Sequence, residues 1–222
     1  HLVMLYFFFN AYATTGINTV SLHDALPILA ANPNSPLEAL DKLAEDEVIE
    51  VRELVAKHKN TSPETLDKLA NDIQRVRTEV AINSNTTVKT LTKLSQNTEW
   101  FTRYYVAANK KVPVEILKKL ALDEDEIVRE EVARNPNSSV DILNKLACDE
   151  MFAVRKEVAK NPNTSGDILD KLANDEISII KLVVAEHPNC PRHTLLKLSK
   201  DKLKEVREYA IKNLSAKPIS DR

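Results

Sequence analysis

The feature that most constrains this chain is a repeat of 26 residues that occupies nearly all of the sequence after residue 28. Seven repeats and part of an eighth follow one another, one of them shortened to 25 residues, and they begin at Leu29, Val55, Val80, Val106, Val132, Val158, Val184 and Ala210. A repeat this short cannot bury its own apolar face, so neighbouring repeats must stack to build a continuous core. The chain is therefore predicted to be a solenoid.

Each repeat has the pattern of two short helices. In the first helix, leucines recur three residues apart, as in Leu169 and Leu172, and in the second helix valines recur four residues apart, as in Val154 and Val158. Both spacings place apolar side chains on one helix face. The pattern predicts an all-α, right-handed α-solenoid of about seven 26-residue two-helix repeats, with a concave and a convex side.

Polar residues are expected to mark the helix ends. The first helix is expected to be capped by Ser or Thr, at Ser35, Thr61, Thr86, Ser138 and Thr164. Glu38 and Glu64 would complete capping boxes in two of these repeats. The second helix is expected to end in a left-handed residue, at Asn32, His58, Asn83, Asn109, Asn135, Asn161 and His187.

Composition excludes several classes of protein. The only two glycines, Gly16 and Gly166, exclude a glycine-rich phosphate loop and argue against a β-sandwich or barrel. A net charge of −2 gives no bulk attraction to nucleic acid or an anionic membrane. Two cysteines, Cys148 and Cys190, cannot form a disulfide framework or a cysteine-based metal site, which favours a reducing, cytoplasmic location.

The first 28 residues differ from the rest. They contain one acidic residue, Asp24, and neither Lys nor Arg. Residues 21–28 read Ser-Leu-His-Asp-Ala-Leu-Pro-Ile, which is the translation of a common short-read sequencing adapter. We therefore expect residues 1–28 to be non-native or disordered and to come from a chimeric metagenomic gene, with a repeat domain at 29–214 and a tail at 215–222. A true N-terminal extension is the alternative.

The repeat motif resembles a known family. The string Val-Arg-x-x-Val-Ala-x-Asn-Pro-Asn-Thr/Ser, followed by Leu-x-x-Leu-Ala-x-Asp, resembles the leucine-rich repeat variant family of bacterial α-solenoids over residues 29–214. The Asp six residues before Arg is similar to HEAT repeats. The resemblance implies stacked helix pairs without β-strands. Some family members are linked to an iron–sulfur cluster held by an N-terminal cysteine group; this sequence has no such group, and no cofactor is expected. Its repeats are slightly longer than is usual in the family.

Two charged columns recur along the repeats. The acidic column comprises Asp46, Asp72, Asp123, Asp149, Asp175 and Asp201, with Asn97 in the third repeat. The basic column comprises Arg52, Arg77, Arg103, Arg129, Arg155, Lys181 and Arg207. They could form a row of ligand-binding charges, or Asp could cap the second helix and pair with Arg of its own or an adjacent repeat. The structural interpretation is preferred, because a residue required in every repeat serves what all repeats share, namely stacking.

A third column contains one lysine per repeat. Its members are Lys42, Lys68, Lys93, Lys119, Lys145, Lys171 and Lys197. Stacked repeats would align these side chains, and a basic row can follow a phosphate backbone. Neighbouring acids at Asp41, Asp67 and Asp170, and the lack of interleaved Arg or aromatic residues, favour a solvated face instead.

Variable positions on the second helices are the candidate partner contacts. The third repeat is unusual because four aromatic residues, Trp100, Phe101, Tyr104 and Tyr105, lie within six positions. Phe101 is expected on the core side and the other three at the surface, where aromatic side chains often dominate binding energy. The candidate contacts are Trp100, Tyr104, Tyr105, Glu130, Lys156 and Leu182. Local enlargement of the core around Thr102 and Ser95 is the alternative.

No catalytic or metal-binding pattern emerges. His58 and His187 take helix-end positions, His193 is isolated, and no orienting group marks a site around Cys190. The sequence therefore predicts a non-enzymatic scaffold that binds a protein or peptide through its concave helical face, without a membrane span. The alternatives are a HEAT-like nucleic-acid-binding module that uses the lysine row and a regulatory fragment of a larger enzyme.

Overall fold

The fold consists of short helices throughout the part that the computed structural model describes, which is the backbone of residues 22–216 and the side chains from Ala25 onward. Within that range there are fifteen helices and no strand. The predicted all-α solenoid class is confirmed. Residues 1–21 of the segment 1–28 that is expected to be non-native or disordered lie outside the described residues, as do residues 217–222 of the expected tail at 215–222.

The helices alternate between two lengths. The first helices of the repeats have seven residues each and are α2 (Leu37–Leu43), α4 (Pro63–Leu69), α6 (Val88–Leu94), α8 (Val114–Leu120), α10 (Val140–Leu146), α12 (Gly166–Leu172) and α14 (Arg192–Leu198). The second helices are α1 (Leu22–Ala31), α3 (Ile49–Lys57), α5 (Gln74–Ile82), α7 (Trp100–Ala108), α9 (Glu126–Arg134), α11 (Phe152–Lys160), α13 (Ser178–Glu186) and α15 (Lys204–Ala216). Most second helices have nine residues.

The chain divides into two compact units, residues 1–85 and 86–222. In the first unit, helix α3 packs between α1 and α5. In the second unit, the second helices pack side by side in the order α7, α9, α11, α13 and α15, and each contacts the first helix beside it. Stacking of like helices from successive repeats therefore builds each unit.

The apolar stripes form the core of each unit. In the second unit, Val128, Val132 and Ala133 of α9 are fully buried. Leu143 and Leu146 of α10 are at most 1% exposed. The same positions are buried in the neighbouring repeats. Because isolated helices of seven to nine residues are marginal in water, this shared burial is what holds them in helical form.

The first helices begin one residue later than predicted. Ser62, Thr87, Ser139 and Ser165 are the N-caps, and each side-chain oxygen accepts the backbone N–H three residues on. The predicted caps lie one position earlier, where Thr61 and Ser138 are buried and donate their hydroxyls to the carbonyls of Val55 and Val132. The predicted caps at Ser35, Thr61, Thr86, Ser138 and Thr164, and the capping boxes with Glu38 and Glu64, are therefore wrong.

The second helices end where predicted but not in the predicted conformation. Asn135 has φ −65° and ψ 128°, and the other terminal Asn and His residues of α3 to α13 have similar extended angles. The expected left-handed conformation is wrong. The asparagine side chain at this position instead donates hydrogen bonds to the preceding repeat, as Asn161 does to the carbonyl of Ala133.

Candidate functional site

Arginines of one repeat bind aspartates of the next. Arg129 donates from Nε to Oδ2 of Asp149 at 2.7 Å and from a terminal nitrogen to Oδ1 at 3.0 Å. Its other terminal nitrogen donates to the main-chain carbonyls of Asp123 and Glu124. The same paired bonds join Arg52 to Asp72, Arg103 to Asp123 and Arg155 to Asp175, and Lys181 makes a single contact with Asp201.

Within the acidic and basic columns, Arg129 forms its ion pair with the next repeat and not with its own. Its carboxylate partner is Asp149 in the next repeat, while Asp123 of its own repeat offers only the main-chain carbonyl. The carboxylate of Asp123 binds Arg103. The aspartates also accept a backbone N–H from the turn before the second helix, two residues on in most cases, as Asp149 does from Met151, and one residue on for Asp72, which accepts from Ile73.

The ladder is mostly enclosed. The side chains of Arg129 and Asp149 are 11% and 8% exposed. In the first unit, the hydrogen bond from Arg52 lowers the pKa of Asp72, and the backbone N–H of Ile73 lowers it further against the effect of burial. Because these polar atoms are already bonded within the chain, they have little capacity left for a ligand.

Three members of the columns depart from this pairing. Arg77 and Arg207 donate to the carbonyls of Asp72 and Asp201 in their own repeats. The carboxylate of Asp46 accepts the N–H of Val48. In the other pairs the arginine lies twenty residues before its aspartate, and the residue twenty positions before Asp46 is Leu26. The aspartate that begins the ladder therefore has leucine where its arginine would stand.

A second ladder, made of asparagine, was missed by the sequence analysis. Asn161 donates from its side-chain nitrogen to the carbonyl of Ala133 at 2.7 Å and to that of Asn135 at 3.0 Å, and its Oδ1 accepts the N–H of Asn163. Asn83, Asn135 and Asn213 make the same pair of bonds to the preceding repeat. The side chain thus bridges two repeats at the ends of α5, α9 and α11 and within α15.

Histidine substitutes for asparagine in this ladder. Nε2 of His58 lies 2.8 Å from the carbonyl of Asn32, and Nδ1 accepts the N–H of Asn60; His187 makes equivalent contacts with Asn161 and Asn189. The second asparagine of two Asn-Pro-Asn motifs also bonds to the preceding repeat: Asn163 donates to the carbonyl of Pro136 at 2.6 Å, and Asn137 donates to that of Lys110 at 2.8 Å. The recurring Asn-x-Asn spacing was the available signal.

The lysine row is exposed and lies among acceptors of neighbouring repeats. Lys68 forms an ion pair of 3.2 Å with Glu45. Lys171 contacts the Sγ of Cys148, and Lys197 contacts the side-chain oxygen of Asn174. These contacts are typical of a solvated face.

The four aromatic residues of α7 form one cluster. Phe101 lies 5.1 Å from Trp100, 5.0 Å from Tyr105 and 6.4 Å from Tyr104, measured between ring centroids, and Tyr104 lies 5.0 Å from Tyr105. Trp100 is 37% exposed and the other three are half-buried. Phe101 therefore lies among the other rings rather than in the core, where the fully buried Thr102 takes the inward position.

The aromatic cluster lines an open groove. The groove has a volume of about 330 Å³, and Ile127, Glu130 and Arg134 of α9 form its other side. Glu130 occupies in its repeat the position of Tyr104, and Lys156 of α11 and Leu182 of α13 continue this column. All four side chains are half-buried. The structure thus places the candidate contacts on one continuous row of second helices.

A charged cluster lies beside the groove. Arg134 donates to three carboxylates, those of Glu130 at 2.6 Å, Glu131 at 2.5 Å and Glu157 at 3.3 Å. Lys160 donates to Glu157 at 2.8 Å, and Lys156 lies 3.9 Å from it. Glu131 and Glu157 are both buried, although the residue at their position varies between repeats.

The pKa values of the two buried glutamates shift in opposite directions. Burial raises the pKa of Glu131, and hydrogen bonds from Arg134 and Tyr104 offset this only in part. Burial also acts to raise the pKa of Glu157, but the bonds from Lys160 and Arg134 outweigh it, and the pKa lies below its ordinary value. Equivalent positions of two successive repeats therefore hold carboxyl groups whose pKa values shift in opposite directions.

The cysteine and histidine side chains considered for catalysis or metal binding do not form a site. Cys190 is fully buried and Cys148 is exposed. His193 lies at the surface, 3.4 Å from Asp170. Within the described part of the chain, no group of three His, Cys, Asp or Glu side chains could hold a metal ion. None of the helices over residues 22–216 is long and apolar enough to span a bilayer.

Known structures with a similar fold are repeat proteins. A leucine-rich repeat variant with a repetitive structural motif has 29% identity to this chain and a TM-score of 0.64, over 81% of this chain and 72% of its own. YibA of Escherichia coli has 18% identity and a TM-score of 0.48, over 89% and 76%. The HEAT-like repeats protein of the archaeon Thermococcus onnurineus has 16% identity and a TM-score of 0.33, over 89% and 92%.

Sequence comparisons add no relative, since no family model and no curated protein matches this chain. The resemblance to leucine-rich repeat variant proteins is confirmed by the first of the three structures.

Proposed function

We propose that this chain, a solenoid like the leucine-rich repeat variant, is a non-enzymatic scaffold that binds a protein or peptide segment along the second helices of residues 86–216. The observation that carries the proposal is the half-exposed aromatic cluster that lines the groove between α7 and α9. Stacked repeats create extended surfaces of this kind, and partners bind to the side chains that vary between repeats.

The cluster is suited to anchoring a partner. Aromatic residues are enriched among the side chains that dominate interface energies, and they bury a large area with few rotatable bonds. Trp100 at 37% exposure retains surface for a partner to cover. Along the same row, Lys156 and Leu182 provide charged and apolar contacts that would extend a bound segment beyond the groove.

A library of random twelve-residue peptides displayed on phage tests the proposal. Peptides selected on the whole chain are expected to lose binding to the double variant Trp100→Ala and Tyr104→Ala. The control is Leu196→Ala, because Leu196 is a large exposed apolar residue on the first helix α14, outside the row of second helices. The proposal fails if no peptide is enriched, or if enriched peptides bind the double variant as well as the unaltered chain.

A further inference from the structure

We propose that the groove between α7 and α9 accepts a basic side chain, lysine or arginine, of the bound peptide segment. This inference rests on the proposed function and adds the chemistry of the occupant. Three features carry it: the aromatic rings, the bonding of Arg134 and the bonding of Glu130.

The aromatic rings favour a cation with an aliphatic stem. Trp100, Tyr104 and Tyr105 line the groove together with Phe101. The faces of such rings attract an ammonium or guanidinium group, and Trp does so most strongly. The methylene stem of lysine or arginine can pack along the same apolar surface while its charged end stays near water.

Arg134 is already paired with carboxylates of this chain. Nε donates to Glu157 and the two terminal nitrogens donate to Glu131 and Glu130. The guanidinium group is therefore surrounded by three carboxylates. The Arg134 side chain is 45% exposed, but a carboxylate or phosphate that approached it from the groove would lie beside Glu130 and would be repelled by that carboxylate.

Glu130 retains capacity to accept a hydrogen bond. Its Oε1 binds Arg134, whereas its Oε2 has no bond to any residue that the structure describes. Its side chain is 26% exposed and lines the groove opposite the rings. An incoming ammonium or guanidinium group would thus find a ring face on one side and a carboxylate oxygen on the other.

Sequencing of the selected peptide pool, followed by binding measurements on synthetic peptides, tests the inference. Emission of Trp100, the only tryptophan of the chain, provides the binding signal at the groove. We expect a lysine or arginine at one enriched position, and replacement of that residue by glutamine should weaken binding about tenfold. Glu130→Gln should weaken binding of the basic peptide but not of its glutamine form.

The control is Glu115→Gln, because Glu115 is exposed on the first helix α8, outside the row of second helices. It should leave binding unchanged. Peptides that depend on Trp100 and Tyr104 but carry no enriched basic residue, or carry an acidic one, would overturn the inference and leave the proposed function standing. A selection that enriches no peptide would overturn both. Thermal unfolding of Glu130→Gln checks that the variant remains folded.

Discussion

Arg129 holds the carboxylate of Asp149 through two parallel hydrogen bonds, although the two residues are twenty positions apart and belong to successive repeats. The planar guanidinium group matches the carboxylate in geometry, so the pair specifies orientation as well as contact. The same guanidinium donates to two carbonyls of its own repeat. One side chain therefore fixes the turn before its own helix and the position of the next repeat.

Arg129→Ala should lower the free energy of unfolding by about 3 kcal/mol, because the enclosed carboxylate of Asp149 loses its partner. Urea unfolding followed by circular dichroism measures the change. Arg75→Ala is the control, since Arg75 is 58% exposed and pairs with Glu50 and Glu53 at the surface; its effect should stay within about 0.5 kcal/mol. Equal effects of the two substitutions would show that the ladder contributes no more than a surface ion pair.

The ion pair of Arg52 and Asp72 should also weaken in acid. The bond from Arg52 lowers the pKa of Asp72, so the folded chain binds that proton less readily than the unfolded chain does. The stabilisation is fully present above the unfolded pKa of about 4 and is lost as the pH falls through the folded pKa. Urea unfolding between pH 6 and 2.5, as a rough working range, should show this loss. Asp72→Asn should reduce the slope in that window, and an unchanged slope would contradict the assignment.

Asn135→Ala should destabilise the chain by about 2 kcal/mol, because two buried carbonyls, those of Ala107 and Asn109, lose their donor. Asn137→Ala is the matched comparison, since Asn137 makes the analogous bonds at the surface to Lys110 and Val112 and should contribute less. His58→Asn should be tolerated, because asparagine is the residue that other repeats use there. A larger loss for Asn137→Ala than for Asn135→Ala would reject the buried ladder.

The repeat spacing was sufficient to predict the helices and their buried faces, because apolar periodicity acts within one repeat. The cap prediction failed by one residue. Both Thr61 and Ser62 carry a hydroxyl, and only the fold decides that Thr61 donates inward while Ser62 caps. The asparagine ladder was missed because its bonds join residues 25 to 28 positions apart. Such bonds depend on the register between stacked repeats, and local propensity interpreted Asn only as a helix end.

The burial of Glu131 and Glu157 could not be predicted for the same reason. Other repeats place Leu54, Tyr105 or Val183 at this position, which suggested a variable surface. In the structure, packing of α9 against its neighbours covers the two carboxyl groups, and Arg134 lies between them. Which acids become buried depends on the side chains of adjacent repeats.

Glu131→Gln and Glu157→Gln should respond to pH in opposite directions. The folded pKa of Glu131 is raised by burial, so its contribution to stability falls as pH rises through the unfolded pKa of about 4.3. Glutamine removes that effect, and the variant should gain stability relative to the unaltered chain as the pH rises to 7. The folded pKa of Glu157 is lowered because bonds from Lys160 and Arg134 outweigh burial, so Glu157→Gln should lose relative stability over the same range.

Urea unfolding of both variants and the unaltered chain at pH 3 and pH 7, as roughly chosen endpoints, measures the two differences. The two substitutions are matched in chemistry and in repeat position. Changes of the same sign would show that Arg134 and Lys160 do not distinguish the two carboxyl groups.

Leu26→Arg should extend the arginine–aspartate ladder by one repeat. Leu26 lies within the adapter-like residues 21–28, twenty positions before Asp46, which is the spacing that joins Arg52 to Asp72. An arginine in this register of α1 should bind the half-buried carboxylate of Asp46 and raise the free energy of unfolding by about 1 kcal/mol. The same substitution in an Asp46→Asn background is the control, and a double-mutant cycle isolates the pair. An equal effect in both backgrounds would mean that residue 26 does not share the register of the ladder.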